Sequence, residues 1–296
     1  MNWIPASVLE PGFFSSQPVQ TAAIVGALVA VVSATVGVFT VIRGQAFAGE
    51  ALGDIGTTGG SAAFLAGVSP LWGFLGAGLA AAGAMEAIGV QRARGRDLAT
   101  GVVLGGALAL AALFLYWDTT YHSASGTTVT ILFGSAFAIA SSTIPTVIAL
   151  SCVAVGIVAV LYRPLLLSSV NADLAAARGT PVRLVGGCYL IGLAIAAALA
   201  ALTIGTILST ALLIGPAATA LRITKRPALA ILTAALIGTS AMWLGIVLAY
   251  DSYYWPPHGH GWPISFFVVT LVLCLYLLSS LPAQWSRRTA ADQSTG

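Results

Sequence analysis

The chain has 296 residues, of which 58% are hydrophobic and 7% are charged, and its mean hydropathy is +0.96. A soluble domain usually carries about 25% charged residues, so water is not the solvent around most of this surface. The net charge of +3 is small and scattered along the chain, which argues against nucleic acid as a partner.

Apolar runs recur along the whole chain, and most are long enough to cross a bilayer as helices. A spanning helix needs about 20 apolar residues, and the strict alternation typical of a transmembrane β-barrel is absent from the sequence. The runs cover residues 21–42, 55–68, 71–90, 98–117, 129–162, 184–202, 204–221, 228–250 and 264–281. The run 129–162 is too long for one span, and its Ser-Ser-Thr cluster and Pro145 predict a short helix, a break and a full span. The sequence therefore predicts an all-α, polytopic integral membrane protein with about eight or nine transmembrane helices.

The basic residues indicate the orientation, because Lys and Arg collect on the cytoplasmic side of a membrane. Alternating the spans from an external N-terminus places every basic cluster on one side, and the opposite connections near residues 69–70, 118–128, 203 and 251–263 contain no Lys or Arg. The clusters are Arg43; Arg92, Arg94 and Arg96; Arg163, Arg178 and Arg183; Arg222, Lys225 and Arg226; and Arg287 and Arg288. We predict an extracytoplasmic arm over residues 1–20, a transmembrane domain over 21–284 with a cytoplasmic loop at 163–183, and a cytoplasmic tail over 285–296.

Two carboxylates in the glycine-rich segment 49–60, GEALGDIGTTGG, are the main candidates for chemistry. So many glycines predict an irregular span, which is tolerated where backbone faces protein or a water-filled cavity. Glu50 and Asp54 are four residues apart, hence on one helix face, and lie about 10 and 16 Å beyond Arg43. Ionisable groups at that depth are costly and are functional candidates. They could hold a divalent cation or relay protons; alternatively, Asp54 hydrogen-bonds a neighbouring helix and Glu50 stays solvated near the interface.

Two smaller groups of side chains also attract attention. His258 and His260, beside Asp251 in an external connection, could attract a cation at an entrance, since imidazole suits Zn²⁺. The alternative is a rigid aromatic loop, YYWPPHGHGWP, with incidental histidines. Cys152, Cys188 and Cys274 lie in apolar runs without CxxC spacing, so we expect small buried side chains rather than metal ligands or a disulfide.

The cytoplasmic connection 163–183 contains the pattern of a short helix. Asn171 can cap it, Asp173 lies in the first turn, where the positive end of a helix favours an acidic residue, and Arg178 lies in the last turn. Gly179 and Pro181 then end the helix. An ordinary amphipathic connector would show the same pattern.

Several enzyme motifs are missing from the sequence. It contains no GxxxxGK[ST] loop for a nucleotide, no HExxH and no GxSxG. Nothing therefore supports an ATPase, metalloprotease or serine hydrolase activity in this chain, and we identify no catalytic residue.

Five stretches together resemble a known family. They are IRGQAFAGEALGD at 42–54, RGRDLATGVVLG at 94–105, ILFG at 131–134, LLLSSVNADLAAARGTPV at 165–182 and IGTILSTALLIGPAATALR at 204–222. In this order and spacing they resemble the permease subunit of ATP-binding-cassette (ABC) transporters that import zinc or manganese. The resemblance covers almost the whole chain.

The resemblance implies a permease homodimer in the bacterial inner membrane, cytoplasmic ATP-binding subunits and an extracytoplasmic metal-binding protein. It implies no permanently bound cofactor, since Mn²⁺ or Zn²⁺ is the cargo. The segment that forms the coupling helix would contact the ATPase, and its matching residues here are Asn171, Asp173, Leu174, Arg178 and Gly179.

The carboxylate segment departs from the family pattern of Gly-Asp-x-Leu-Ser-His. Glu50 stands where the family has Asp, and Asp54 stands where it commonly has His. Replacing a nitrogen ligand by oxygen shifts the preference toward manganese, because oxygen ligands suit Mn²⁺ and Zn²⁺ usually wants added nitrogen or sulfur. A proton-coupled secondary transporter, with the carboxylates as a proton relay, is the main alternative.

Overall fold

The structure is a computed structural model that describes residues 13–88, 96–121, 125–134, 136–255 and 261–292. Within these ranges the chain forms eleven α-helices, two short 3-10 turns and no strand. The helices are α1 Gln17–Ile42, α2 Ala46–Leu65, α3 Pro70–Ile88, α4 Arg96–Tyr121, α5 Ser125–Phe133, α6 Ile144–Val170, α7 Ala172–Ala177, α8 Val182–Ile204, α9 Thr206–Ile223, α10 Pro227–Ser252 and α11 Ile264–Asp292. The predicted all-α class is confirmed.

Among the described residues, six helical segments are long and apolar enough to cross a membrane, judged by length and composition. They are Gln17–Ile42, Thr100–Tyr121, Ser141–Val170, Val182–Ile204, Thr206–Ile223 and Pro227–Ser252. Six is fewer than the eight or nine crossings predicted. Two of the remaining helices show why: α2 contains two carboxylates and several glycines, which lower its hydropathy, and the apolar part of α11 is the shorter segment Ile264–Ser280.

Helices α1 and α8 form the centre of the bundle. Helix α1 packs against α6, α8, α9 and α10, and α8 packs against α1, α2, α3, α6 and α9. The alanine-rich stretch 194–201 of α8 is fully buried. Small side chains allow helix backbones to approach closely, which drives helix association in lipid, where burial of apolar surface gains little.

The irregular span predicted for residues 49–60 is wrong, because α2 is one continuous helix from Ala46 to Leu65. Its glycines serve close packing instead. A Cβ on Gly59 would overlap the carbonyl oxygen of Gly73 on α3, and a Cβ on Gly60 would overlap the ring of Phe74. In hydrocarbon every backbone group needs an internal partner, so a glycine-rich segment with close neighbours stays helical.

The predicted break inside residues 129–162 is confirmed. Helix α5 ends at Phe133, Gly134 has φ +76°, and a 3-10 turn at Ser141–Thr143 precedes α6. Pro145 lies in the first turn of α6, where a missing N–H leaves no helical hydrogen bond unmade. Gly134 lies against Gly205, the φ +85° residue between α8 and α9, and a Cβ on Gly134 would come within 2.5 Å of the Gly205 nitrogen.

The short helix predicted in the 163–183 connection is α7. The Asn171 side chain accepts a hydrogen bond of 3.0 Å from the Leu174 nitrogen, Asp173 lies in the first turn, and Gly179 follows with φ +77°. Helix α6 continues past Arg163 to Val170, so the connection before α7 is shorter than predicted.

The prediction of buried cysteines is wrong. Cys152, Cys188 and Cys274 are free thiols on the outer faces of α6, α8 and α11, and all three are exposed. A thiol behaves as a small apolar group, so a membrane helix can place it toward hydrocarbon as well as toward protein.

Several predictions concern residues outside those that the structure describes. They include the N-terminal arm up to residue 12, Arg92 and Arg94, and the histidines of the external connections. The domain boundaries at residues 20 and 284 also stay predictions.

The packing of α2 on α3 gives a first testable prediction. We expect Gly73→Ala to lower the thermal stability of the purified protein, because its Cβ would overlap the carbonyl oxygen of Gly59 and overpacking costs about 1–3 kcal/mol. Gly76→Ala on the same helix is the matched control, because its Cβ meets open space. Thermal unfolding in detergent checks this; equal midpoints for the two variants would contradict the close crossing.

Candidate functional site

Helix α2 is anchored by one face and open on another. A Cβ on Gly49 would lie 3.1 Å from Leu213, and a Cβ on Gly53 would lie 2.5 Å from the Ser209 hydroxyl, so this face packs directly on α9. Glu50 is exposed in the single chain and Asp54 is half-buried. The glycines hold the helix in place while the two carboxylates remain accessible.

The structure places Glu50 and Asp54 one helical turn apart on that open face, as their spacing requires. Like charges at this spacing repel each other, so a cation between them would be stabilising. A carboxylate turned toward hydrocarbon costs roughly 3 kcal/mol or more. The face is therefore stable only against water, an ion or another polar protein surface.

A buried hydroxyl cluster lies one turn beyond Asp54. The Thr57 hydroxyl donates a 2.8 Å hydrogen bond to the Thr206 hydroxyl, which donates to the Ile131 carbonyl at 3.4 Å. Ser209 donates to the Thr206 carbonyl at 2.8 Å. These bonds join α2, α5 and α9, and they fix α2 where it carries the carboxylates.

Sequence reasoning missed this cluster, although a signal was present. Thr57 and Thr58 follow Asp54 at the i+3 and i+4 positions of the same helix, the spacing at which side chains share a face. The Thr58 hydroxyl is not part of this cluster, because it donates a 2.6 Å hydrogen bond to the Ala107 carbonyl of α4.

The two carboxylates of one chain do not complete a metal shell. Among the residues that the structure describes, no group of three or more His, Cys, Asp or Glu side chains stands close enough to hold an ion. Water or a second protein surface would have to supply the other ligands. A site of this kind binds weakly, which suits passage rather than storage.

The predicted entrance is only partly described. Asp251 lies in the last turn of α10 and is buried, so in the single chain it does not face an opening. His258 and His260 lie outside the described residues, and their role stays a prediction. The aromatic side chains beside them do pack together: Trp255 meets Trp262 edge to face at 6.2 Å, and Trp262 stacks on Phe267 at 6.0 Å.

The residues expected to contact an ATPase lie on α7 and at its two ends. Asn171, Asp173, Leu174, Arg178 and Gly179 are all exposed. Leu174 is the large apolar side chain among them and exposes 46% of its surface. The helix packs against the ends of α6 and α8.

Known proteins share this sequence and fold. Residues 15–281 match the ABC 3 transport family. The manganese transport system membrane protein MntC of Listeria innocua is 28% identical over 231 residues, covering 78% of this chain and 81% of that protein. The manganese import system permease protein ScaB of Streptococcus gordonii is 28% identical over 232 residues, covering 78% and 82%.

A solved structure extends the likeness to the fold. PsaBC from Streptococcus pneumoniae, in complex with Fab, superposes with a TM-score of 0.77 at 25% identity and covers 91% of this chain and 93% of that one. None of these matches supports the proton-coupled alternative. The match over residues 15–281 shows that this chain, a multi-pass membrane permease, belongs to the ABC 3 transport family, the metal-permease family that its motifs resemble.

Proposed function

We propose that this chain is the permease subunit of an ABC transporter that imports manganese, with the Glu50–Asp54 face of α2 lining the path of the ion. One observation carries the proposal: in a bundle built of apolar helices, α2 leaves two carboxylates accessible on one face. Ionisable groups in a membrane protein are stable only where they have a polar partner. A divalent cation is the partner whose charge matches both.

The ligand chemistry favours Mn²⁺ over Zn²⁺. Both side chains offer oxygen, and oxygen ligands suit Mn²⁺, whereas Zn²⁺ prefers nitrogen or sulfur. The names of MntC and ScaB point to the same metal. Zinc remains a second candidate cargo, since a carboxylate pair also binds it.

A second copy of the chain would cover the open face of α2. Two copies facing each other would bring four carboxylates to a common path and remove Glu50 from contact with lipid. Waters would fill the remaining coordination positions, so the ion would lose only part of its hydration shell. This keeps binding weak enough for release.

The energy would come from partner subunits. The exposed α7 offers Leu174 as an apolar contact and Asp173 and Arg178 as charged ones, which suits docking of a cytoplasmic ATP-binding subunit. We propose that an extracytoplasmic metal-binding protein delivers the ion at the opposite end. The permease would then lie in the bacterial inner membrane with its N-terminus outside and its C-terminus in the cytoplasm.

In this scheme the permease alternates between two open states. ATP binding draws the partner subunits together, α7 transmits the movement, and the path opens toward the delivery protein; hydrolysis resets it. The carboxylates of α2 hold the ion between these states. The hydrogen bonds of Thr57 and Thr206 keep α2 attached to α9 as it moves.

We expect Asp54→Asn to reduce manganese uptake by at least about tenfold, because even the loss of an outer-shell partner of a metal site costs about 10–100-fold. Glu86→Gln is the matched control, because Glu86 is likewise a half-buried carboxylate, on α3, and lies against Gly187 of α8. Uptake of Mn²⁺ by cells lacking the chromosomal copy, at matched protein levels, checks this. Normal uptake by the Asp54 variant would contradict the proposed path.

The identity of residue 54 should also set metal preference. We expect Asp54→His to raise the ratio of zinc to manganese uptake, because an imidazole nitrogen favours Zn²⁺. Competition between the two metals in the same uptake assay gives this ratio directly. A ratio unchanged from that of the wild type would mean that residue 54 does not contact the ion.

A further inference from the structure

Arg43 joins four helices at one end of the bundle. It follows the last residue of α1, and its Nε donates a 3.2 Å hydrogen bond to the side-chain oxygen of Gln45, the residue just before α2. Its Nη1 donates a 2.9 Å bond to the Ser168 hydroxyl near the end of α6. The same guanidinium lies over the ring of Tyr189 on α8, 5.4 Å from its centre.

Tyr189 is itself tied to α1. It is fully buried, and its hydroxyl lies 2.7 Å from the Thr40 hydroxyl and donates to the Val36 carbonyl at 3.1 Å. The tyrosine therefore holds α8 against α1 directly below the arginine. The Arg43 guanidinium is held by hydrogen bonds to Gln45 and Ser168 and by the ring of Tyr189, so it has little freedom to adopt other positions.

The helices that Arg43 joins are the ones on either side of α7 and the one that carries the carboxylates. Ser168 lies in the last turn of α6, immediately before Asn171 and α7. Helix α8 begins at Val182, after α7. Helix α2 begins at Ala46, and Glu50 stands in its second turn. The contacts of Arg43 thus run from both flanks of α7 to the start of the carboxylate helix.

We infer that Arg43 is a positioning residue that couples movement of α7 to α2, so that the flanks of the short helix and the Glu50–Asp54 face shift together. The inference rests on the proposed function, since it concerns how that transporter uses ATP. Helix α7 packs against α6 and α8, and Arg43 contacts a residue of each of these two helices beside the start of α2. Without Arg43 the ATPase would still cycle, but the carboxylates would no longer follow.

Arg222 provides a matched comparison. It lies at the end of α9, its guanidinium is 4.0 Å from the centre of the Tyr276 ring of α11, and it also donates to the Tyr276 hydroxyl. Both arginines combine a hydrogen bond with a tyrosine ring, but Arg222 joins α9 to α11, and neither helix flanks α7. A general loss of charge or packing would affect both variants.

The test uses the complete transporter, the permease co-expressed with its ATP-binding subunit and reconstituted in liposomes. Manganese delivered per ATP hydrolysed is measured for the wild type, Arg43→Gln and Arg222→Gln. We expect Arg43→Gln to lower this ratio by at least about fivefold, the lower end of usual coupling effects, while hydrolysis continues and Mn²⁺ affinity changes less than about twofold. Arg222→Gln should keep the wild-type ratio.

Two further variants identify the contact. Arg43→Lys keeps the charge but loses the fork, so its ratio should lie between those of the wild type and Arg43→Gln. Ser168→Ala removes one hydroxyl and should reduce the ratio in the same direction. Combining it with Arg43→Gln should add nothing further, since coupled positions are not additive. Additive losses would overturn the assigned contact.

The outcomes of these experiments distinguish a failure of this inference from a failure of the proposed function on which it rests. If the wild type transports manganese and Arg43→Gln keeps the wild-type ratio, whether or not both rates fall, the coupling role is wrong and the function stands. If Arg222→Gln lowers the ratio as much as Arg43→Gln, the effect is one of general stability and the inference fails. A wild-type complex that hydrolyses ATP but moves no manganese overturns the proposed function and this inference with it.

Discussion

Two carboxylates on a helix packed within a bundle of membrane-spanning helices set the condition that the surrounding structure has to meet. Each costs several kcal/mol against lipid, so the helix must turn them toward water, an ion or protein. Helix α2 does this by packing its glycine face on α9 and leaving Glu50 and Asp54 on the face beside it. Close packing on one side and an open polar face on the other are two consequences of the same glycine-rich sequence.

Close packing through small residues also occurs in the core of the bundle. A Cβ on Gly37 of α1 would overlap the Leu213 carbonyl of α9, and the buried alanines of α8 allow equally close contact. Hydrogen bonds between side chains of different helices then fix orientation, as those of Thr57 and Arg43 do. In a membrane such bonds average well under about 2 kcal/mol each, so their value here lies in holding particular helices in register.

Much of this architecture follows from sequence because local chemistry determines it. The Asn171 cap, Gly179 and Pro145 act on their own neighbours, and the structure confirms the short helix and the break that they predict. The spacing of Glu50 and Asp54 likewise fixes a shared face. Long-range contacts could not be predicted: the crossing of Gly59 with Gly73 and the four-helix contacts of Arg43 join segments whose proximity only the fold reveals. For that reason the glycines of residues 49–60, which predict an irregular span from sequence, are instead sites of close helix packing.

Access of water to the carboxylate face tests the central claim most directly. With Cys152, Cys188 and Cys274 replaced by Ala, single cysteines at positions 54, 51 and 236 can be treated with a hydrophilic thiol reagent, which needs a hydrated thiolate. Ala51 is buried, and Leu236 is exposed on the outer face of α10. We predict that Asp54→Cys is labelled in the membrane while Ala51→Cys and Leu236→Cys are not. An Asp54→Cys variant as unreactive as Leu236→Cys would contradict a path along α2.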